Sequence, residues 1–219
     1  MIAWVYERAS KAACLDHLLV ATDSPEVESF CRAHDIPAMM TSHEHRSGTD
    51  RLAEVMTREP ATIYVNIQGD EPMITPGHLE CLLWPFDTAP STQVSTLKVA
   101  IDAETALDRN VVKVVTDLAG RALYFSRARI PFDRDGTRQA QYFKHQGFYA
   151  FSAAALERFH HLPPTPLEKL EKLEQLRLLE NGIAIAVVET PLDTIGVDTE
   201  EDLRRVEDYF RRAQPPPER

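Results

Sequence analysis

The stretch ATIYVNIQGDEP at residues 61–72 decides the fold, because a β-type apolar run ends there in a carboxylate on a sharp turn. In open parallel α/β sheets, ligands bind outside the carboxyl ends of the strands, where a side chain leaves the core but stays anchored. Asp70 is therefore a candidate ligand for a metal or a nucleotide. The alternative is an ordinary surface turn, since Gly, Asp and Pro are common turn residues.

Segments with helical and strand-like patterns alternate on the N-terminal side of this stretch. The pattern predicts helices over 2–13, 24–33 and 49–57 and strands over 17–22 and 36–41. Such alternation is typical of an α/β fold with a mostly parallel, Rossmann-like sheet and helices on both faces.

Hairpin geometry fits the middle of the chain better. Strand-like segments over 93–101, 111–116 and 122–127 are joined by short polar connections, among them the turn DLAG at 117–120. Beyond them the pattern predicts strands over 148–151 and 183–189 and helices over 153–159, 167–179 and 199–212. We expect a single domain over 1–213, followed by a disordered tail over 214–219.

The composition excludes several classes of protein. The chain has 219 residues, 43% of them hydrophobic, and a formal charge of −10, which suits one globular domain but not sequence-independent binding to nucleic acid. Its cysteines, Cys14, Cys31 and Cys81, are too widely separated for a disulfide framework and indicate a cytoplasmic protein. No apolar run is long enough for a membrane span, and charged residues near the N-terminus argue against a signal peptide.

A second acid follows a strand-like segment at IGVDTEEDL, residues 195–203. Asp198 and Asp70 could share one Mg²⁺ ion, which commonly takes one or two carboxylates and leaves its other positions to water and phosphate. The alternative is that Asp198 caps the following helix, with Glu201 three residues further on.

A third polar cluster, HEHRSGTDR at residues 43–51, leads into a predicted helix. Its hydroxyls and backbone N–H groups suit the oxygen atoms and base edges of a nucleotide. Alternatively, Ser47 or Thr49 caps the helix, with Asp50 and Arg51 as ordinary first-turn charges. A zinc site at His43 and His45 lacks an evident third ligand.

Seven segments in this order resemble the 3-deoxy-manno-octulosonate (Kdo) cytidylyltransferases, or CMP-Kdo synthetases. They are HRSGTDRLAEV (45–55), VNIQGDEPMI (65–74), NVVKVV (110–115), ALYFSRARIPFDRD (122–135), KHQGFYAF (144–151), LEKLEQLRLLENG (170–182) and GVDTEEDLRRV (196–206). The resemblance implies that a cytidylyl group passes from CTP to Kdo with release of pyrophosphate, in lipopolysaccharide biosynthesis.

The resemblance also implies site residues, a cofactor and an assembly. Asp70 and Asp198 would be catalytic and would hold Mg²⁺. The nucleotide-binding residues would be Ser47, Gly48, Thr49, Arg51 and Gln68. The Kdo-binding residues would be Arg127, His145, Tyr149, Glu174 and Gln175. The family implies a cytoplasmic homodimer that associates through the middle region, residues 88–146.

One departure from the family sets a further expectation. Members begin with a strand and a loop rich in Arg, Lys and Gly, and this chain has no counterpart before its first predicted helix. We therefore expect little or no transferase activity and reduced stability from the 219 residues alone. Two alternatives remain, namely a cytidylyltransferase for another acidic sugar such as a sialic acid, and a non-catalytic protein that binds a nucleotide or a sugar.

Overall fold

The computed structural model describes residues 1–45, 47–136, 139–197 and 199–213 of the chain. The strands in these ranges are β1 (Val20–Thr22), β2 (Ala38–Met40), β3 (Ile63–Asn66), β4 (Val94–Ile101), β5 (Lys113–Thr116), β6 (Ala122–Ser126), β7 (Tyr142–Ser152) and β8 (Ile185–Glu189). The helices are α1 (Ile2–Ala9), α2 (Pro25–Ala33), α3 (Gly48–Met56), α4 (Pro76–Thr88), α5 (Ala153–His160), α6 (Pro166–Glu171), α7 (Leu176–Glu180) and α8 (Glu200–Ala213). The predicted tail over 214–219 lies outside the described residues.

The α/β class is confirmed, but the sheet is mixed rather than mostly parallel. One sheet joins β1 to β2, and a larger sheet has the order β6-β5-β7-β4-β8, with β3 also paired to β7. Only β1–β2 and β4–β8 are parallel among the described strand pairs. The sequence pattern assigns β7 only to 148–151, whereas this long strand starts at Tyr142 and pairs antiparallel with β3, β4 and β5.

The core lies on both faces of β7, as the strand's two-residue period requires. Phe148 belongs to an apolar cluster with Leu79 and Leu82 of α4 on one face. Phe151 belongs to a second cluster with Phe159 of α5 on the opposite face. Helices on both faces therefore bury the strand that carries the KHQGFYAF motif.

Local signals account for most element boundaries. Ser24 and Ser47 cap α2 and α3, because each hydroxyl accepts a backbone N–H from the first helical turn. The predicted helix over 167–179 is wrong as one element, since Lys172 takes a left-handed conformation with φ of 56° and separates α6 from α7. The helix α4 is missing from the sequence-based prediction, and Pro85 in its interior weakens the helical signal.

The hairpin predicted in the middle of the chain is confirmed. Strands β5 and β6 pair antiparallel, and the carboxylate of Asp117 accepts the backbone N–H groups of Ala119 and Arg121 across the turn. Gly120 has a φ of 77°, which glycine adopts without strain.

A cleft of about 770 Å³ separates the two sheets between β1 and β3. Its apolar walls come mainly from α1, β1 and β3, for instance Ile2, Val20 and Val65. One end is polar and is formed by the start of α3 and the segment after β3. In the described part of the chain, no helix is long and apolar enough to cross a membrane.

Candidate functional site

The polar end of the cleft brings the start of α3 against the end of β3. A Cβ atom at Gly48 would lie 2.9 Å from Nε2 of Gln68 and 3.4 Å from Nδ2 of Asn66, so the amide of Gln68 would have to shift to accommodate it. Two amide side chains therefore lie directly over the backbone of Gly48. The hydroxyl of Ser47 accepts the backbone N–H of Asp50 at 3.2 Å and so caps α3. This capping role is compatible with a role in binding a nucleotide.

Thr49 joins the predicted nucleotide residues to the predicted sugar residues. Its buried hydroxyl donates to Oε1 of Glu174, which lies 125 positions away in the sequence. The same hydroxyl lies 3.4 Å from Nδ2 of Asn66. The predicted nucleotide-binding residues and the predicted sugar-binding residues thus meet at one hydrogen bond.

Arg51 faces the ends of β1 and β2. Its guanidinium lies 3.2 Å from the carboxylate of Asp23 and also donates to the hydroxyl of Thr41. The hydrogen bond from Arg51 lowers the pKa of Asp23. These contacts hold the guanidinium at the edge of the cleft.

Two buried polar atoms beside the Thr49–Glu174 contact have no hydrogen-bond partner in the described part of the chain. They are Oε2 of Glu174 and the hydroxyl of Tyr149. Burial raises the pKa of Glu174, against the hydroxyls of Ser47 and Thr49, which lower it. Burial and the negative charge of Glu174 raise the pKa of Tyr149. Such atoms carry a desolvation cost that a polar ligand would remove.

His145 lies next to Tyr149, with their ring centroids 5.4 Å apart. Burial, reinforced by the charge of Lys144, lowers the pKa of His145 to about 3, so its imidazole is neutral near pH 7. Its Nε2 lies 2.9 Å from Oγ1 of Thr96, and that hydroxyl has its own acceptor 2.7 Å away in the carbonyl of Phe148. Because the threonine hydroxyl has one proton, this geometry assigns the imidazole proton to Nε2.

Arg127 and Gln175 complete the predicted sugar set. The guanidinium of Arg127 donates through Nε to the carbonyl of Glu171 at 3.0 Å and through Nη1 to the carbonyl of Arg109 at 3.2 Å. Gln175 is buried at the start of α7, directly after Glu174. The segment around the break between α6 and α7 thus brings Glu171 to β6 and Glu174 to the start of α3.

Asp70 is half-buried on the turn after β3, and its carbonyl accepts the N–H of Val197 at 2.9 Å. Asp198 itself lies outside the described residues, so its predicted pairing with Asp70 stays a prediction. The next residue after Asp70, Glu71, is also acidic. Burial raises the pKa of Glu71 to about 7, against a hydrogen bond with Thr194.

The donor groups here are oxygen atoms, which fits Mg²⁺ better than a softer metal. In the described ranges, no three His, Cys, Asp or Glu side chains are grouped closely enough to hold a metal ion by themselves. Mg²⁺ needs only one or two carboxylates when phosphate and water supply the remaining ligands. The zinc interpretation of His43 and His45 is not supported, because the described residues supply no third ligand beside them, and Nε2 of His45 lies 2.5 Å from Oε2 of Glu54.

Three further residues at the site, Asn66, Thr96 and Glu171, are not predicted from the sequence. Asn66 stands two residues before Gln68, and residues two apart share one face of a strand, so the period could have indicated it. Thr96 and Glu171 reach the site only through strand pairing and the helix break, and the sequence contains no signal for either contact.

The chain is similar over most of its length to known cytidylyltransferases. A family model described as "Cytidylyltransferase" matches residues 1–187. A 3-deoxy-manno-octulosonate cytidylyltransferase from Acidobacterium capsulatum is 55% identical over 94% of this chain and 84% of its own length. The enzyme of that name from Geobacter sulfurreducens is 45% identical over 94% of this chain and 87% of its own length.

Solved structures show the same fold. A CMP:2-keto-3-deoxy-manno-octonic acid synthetase complexed with CTP superposes with a TM-score of 0.93 and 43% identity, over 97% of this chain and 88% of that one. A cytidylyltransferase from Leptospira borgpetersenii has a TM-score of 0.63 at 12% identity, over 98% of this chain and 76% of that one, and shows the shared fold alone.

Proposed function

Because the chain belongs to the cytidylyltransferase family, we propose that it transfers a cytidylyl group from CTP to Kdo, giving CMP-Kdo and pyrophosphate. The observation that carries this proposal is the contact between Thr49 and Glu174 with its two unpartnered buried atoms. The contact joins the helix start that lines the polar end of the cleft to a cluster of buried polar groups that suits a polyhydroxylated acid.

The polar end of the cleft would bind CTP. The amides of Asn66 and Gln68 offer donors and acceptors that can match the edge of a cytosine ring, and both lie over Gly48. Ser47 and Thr49 add hydroxyls, and Arg51 adds positive charge beside the cleft.

Kdo would bind where β6, β7 and the start of α7 meet. Tyr149 and Glu174 would hydrogen-bond its hydroxyl groups and so satisfy atoms that are otherwise buried without partners. Neutral His145 would act as a hydrogen-bonding group, since its low pKa prevents it from bringing a charge. Arg127 would bind the carboxylate of the sugar through its guanidinium fork.

Mg²⁺ is part of this proposal, with Asp70 and Asp198 as the residues that would hold it. When bound, the ion would neutralise phosphate charge and lower the pKa of the attacking hydroxyl, which makes a dedicated general base optional. The hydrogen bond from the N–H of Val197 to the carbonyl of Asp70 supports the proposal. It holds the residue before Asp198 against the turn that carries Asp70.

The contribution of the protein is then mainly positioning. Glu174 contacts Thr49 on the nucleotide side and acts electrostatically on Tyr149 on the sugar side. Holding both substrates in adjacent, largely buried sites replaces a bimolecular encounter by a prearranged one and excludes water from the reacting groups.

We also propose a cytoplasmic homodimer that associates through residues 88–146. Exposed apolar side chains on and after the hairpin support this, with Leu123 62% and Phe132 78% exposed. A Leu123→Glu variant should shift the protein from dimer to monomer in sedimentation, whereas the control Leu170→Glu, at an exposed leucine of α6 outside this region, should not.

The proposed reaction is tested by measuring pyrophosphate release from CTP and Mg²⁺ with Kdo or a sialic acid as acceptor, and by identifying the product by mass spectrometry. We expect CMP-Kdo and a clear preference for Kdo. Preference for the sialic acid would favour the other acidic-sugar activity. Magnesium-dependent CTP binding without turnover of either sugar would favour a non-catalytic binding protein.

A further inference from the structure

Lys113 on β5 is a fully buried lysine with no assigned role in the reaction. Its ammonium group lies 2.7 Å from the carbonyl oxygens of Asp108 and Arg127 and also donates to the carbonyl of Val111. An ammonium group has three N–H donors, so these three carbonyls use all of them. Burial lowers the pKa of Lys113, against the charge of Asp108, which raises it.

The carbonyls that Lys113 holds surround Arg127. One of them belongs to Arg127 itself, and the other two, of Asp108 and Val111, lie on either side of Arg109 in the chain. The carbonyl of Arg109 is the acceptor for Nη1 of Arg127, at 3.2 Å. A single buried cation therefore fixes both the backbone that carries the guanidinium and the turn on which the guanidinium rests.

The other side of Arg127 is fixed by Glu171 of α6. The carboxylate of Glu171 accepts the backbone N–H of Arg127 at 3.0 Å, and its carbonyl accepts Nε of the same residue at 3.0 Å. Nη2 makes no hydrogen bond to the residues that the structure describes, so this end of the guanidinium is available for a carboxylate.

Strand register places Arg127 close to the sugar-binding residues. Lys113 pairs with Ser126, the last residue of β6, so Arg127 follows opposite Val112. The carbonyl of Val112 accepts the N–H of His145 at 2.8 Å. Arg127 and His145 therefore lie on either side of Val112, separated by this one intervening chain.

We propose that Lys113 is a positioning residue that sets the location of the Arg127 guanidinium for the carboxylate of the acidic sugar. This inference rests on the proposed function, because it takes Arg127 as the carboxylate-binding group. Removing the ammonium group would free three carbonyls and let both supports of the guanidinium move. A misplaced guanidinium weakens sugar binding while the CTP site, on the other side of Glu174, stays intact.

The test compares Lys113→Met with the wild type and with Lys11→Met, an exposed lysine after α1 that serves as the control for loss of a positive charge. Dissociation constants for Kdo and CTP are measured by titration calorimetry, together with both KM values. For Lys113→Met we expect the Kdo constants to rise about tenfold and the CTP constants to stay within about twofold. The control should leave both substrates unchanged.

A double-mutant cycle with Arg127→Met separates positioning from general loosening of the structure. If Lys113 acts through Arg127, adding Lys113→Met to Arg127→Met should weaken Kdo binding no further. Full additivity, or an equal loss for CTP and Kdo in the single variant, would overturn the proposal. If Lys113→Met does not fold, Glu171→Gln loosens the opposite support and should show the same selective loss of Kdo binding, and an unselective loss there would overturn it. A wild-type protein that does not bind Kdo would instead refute the proposed function.

Discussion

Neutral, buried His145 predicts a specific dependence of stability on pH. Its pKa is about 3 in the folded protein and near 6.5 without the protein environment. Below about pH 6.5 the unfolded chain therefore binds a proton that the folded chain refuses, so acidification favours unfolding. The stabilisation is complete above the unfolded pKa and is lost as the pH falls from about 6.5 towards 3.

The size of the effect follows from the two pKa values. Between about pH 7 and about pH 5, the protonation of this one imidazole in the unfolded chain lowers the free energy of unfolding by about 2 kcal/mol. The appropriate variant is His145→Gln, whose amide can still donate to Oγ1 of Thr96 but does not titrate. Other buried groups, such as Glu71 and Glu174, titrate in both proteins and cancel in the comparison.

The assay is urea unfolding followed by circular dichroism, at both pH values, for the wild type and His145→Gln. We expect the wild type to lose about 2 kcal/mol more than the variant between the two pH values, whatever the absolute cost of the substitution. Parallel pH dependences for the two proteins would refute the reasoning, because they would mean that the imidazole titrates alike in the folded and unfolded states.

Three further substitutions test other parts of the site. Gly48→Ala should raise the KM for CTP about tenfold and leave the KM for Kdo nearly unchanged, because the new Cβ atom would lie 2.9 Å from the amide nitrogen of Gln68. Steady-state kinetics with each substrate varied in turn tests this, and equal changes in the two KM values would contradict it. Tyr149→Phe should change the free energy of unfolding by less than about 1 kcal/mol, because the hydroxyl has no hydrogen-bond partner among the described residues. The same variant should raise the KM for Kdo, and an unchanged KM would show that Tyr149 does not belong to the sugar site. Glu168→Gln should cost about 2 kcal/mol in urea unfolding near pH 7, because it removes the nearer of the two carboxylates beside the buried guanidinium of Arg177 and leaves only Asp50, 4.0 Å away. A loss below about 1 kcal/mol would show that the pair is not needed.

Acid should weaken the same ion pair. Burial raises the pKa of Glu168, but hydrogen bonds from Arg177 and Thr165 outweigh it and leave that pKa below its usual value. The stabilisation is thus present above the unfolded pKa of the carboxyl and is lost as the pH falls through the lower folded value. The difference in stability between the wild type and Glu168→Gln should shrink accordingly.

The sequence alone determined the features that depend on neighbours in the chain. Ser24 identifies the start of α2, and Ser47 or Thr49 indicates the start of α3 to within two residues, because a cap hydroxyl acts within one helical turn. The turn before Gly120 predicts the β5–β6 hairpin for the same local reason. The position of Asp70 directly after an apolar strand indicated a candidate ligand for a metal or a nucleotide, and the resemblance of the ordered motifs to a known family indicated a cytidylyltransferase.

Only the tertiary structure decided which segments meet. The sheet is mixed because β7 takes antiparallel partners from three distant segments, and no local propensity specifies a partner strand. The helix break at Lys172 likewise follows from packing around α6 and α7 rather than from helix propensity. Buried polar groups must find hydrogen-bond partners within the folded chain. This requirement brings Thr49 to Glu174 and places the ammonium group of Lys113 against the carbonyl of Arg127. The residue types in the sequence indicate which polar groups are candidates, but only the tertiary structure shows which of them share a site.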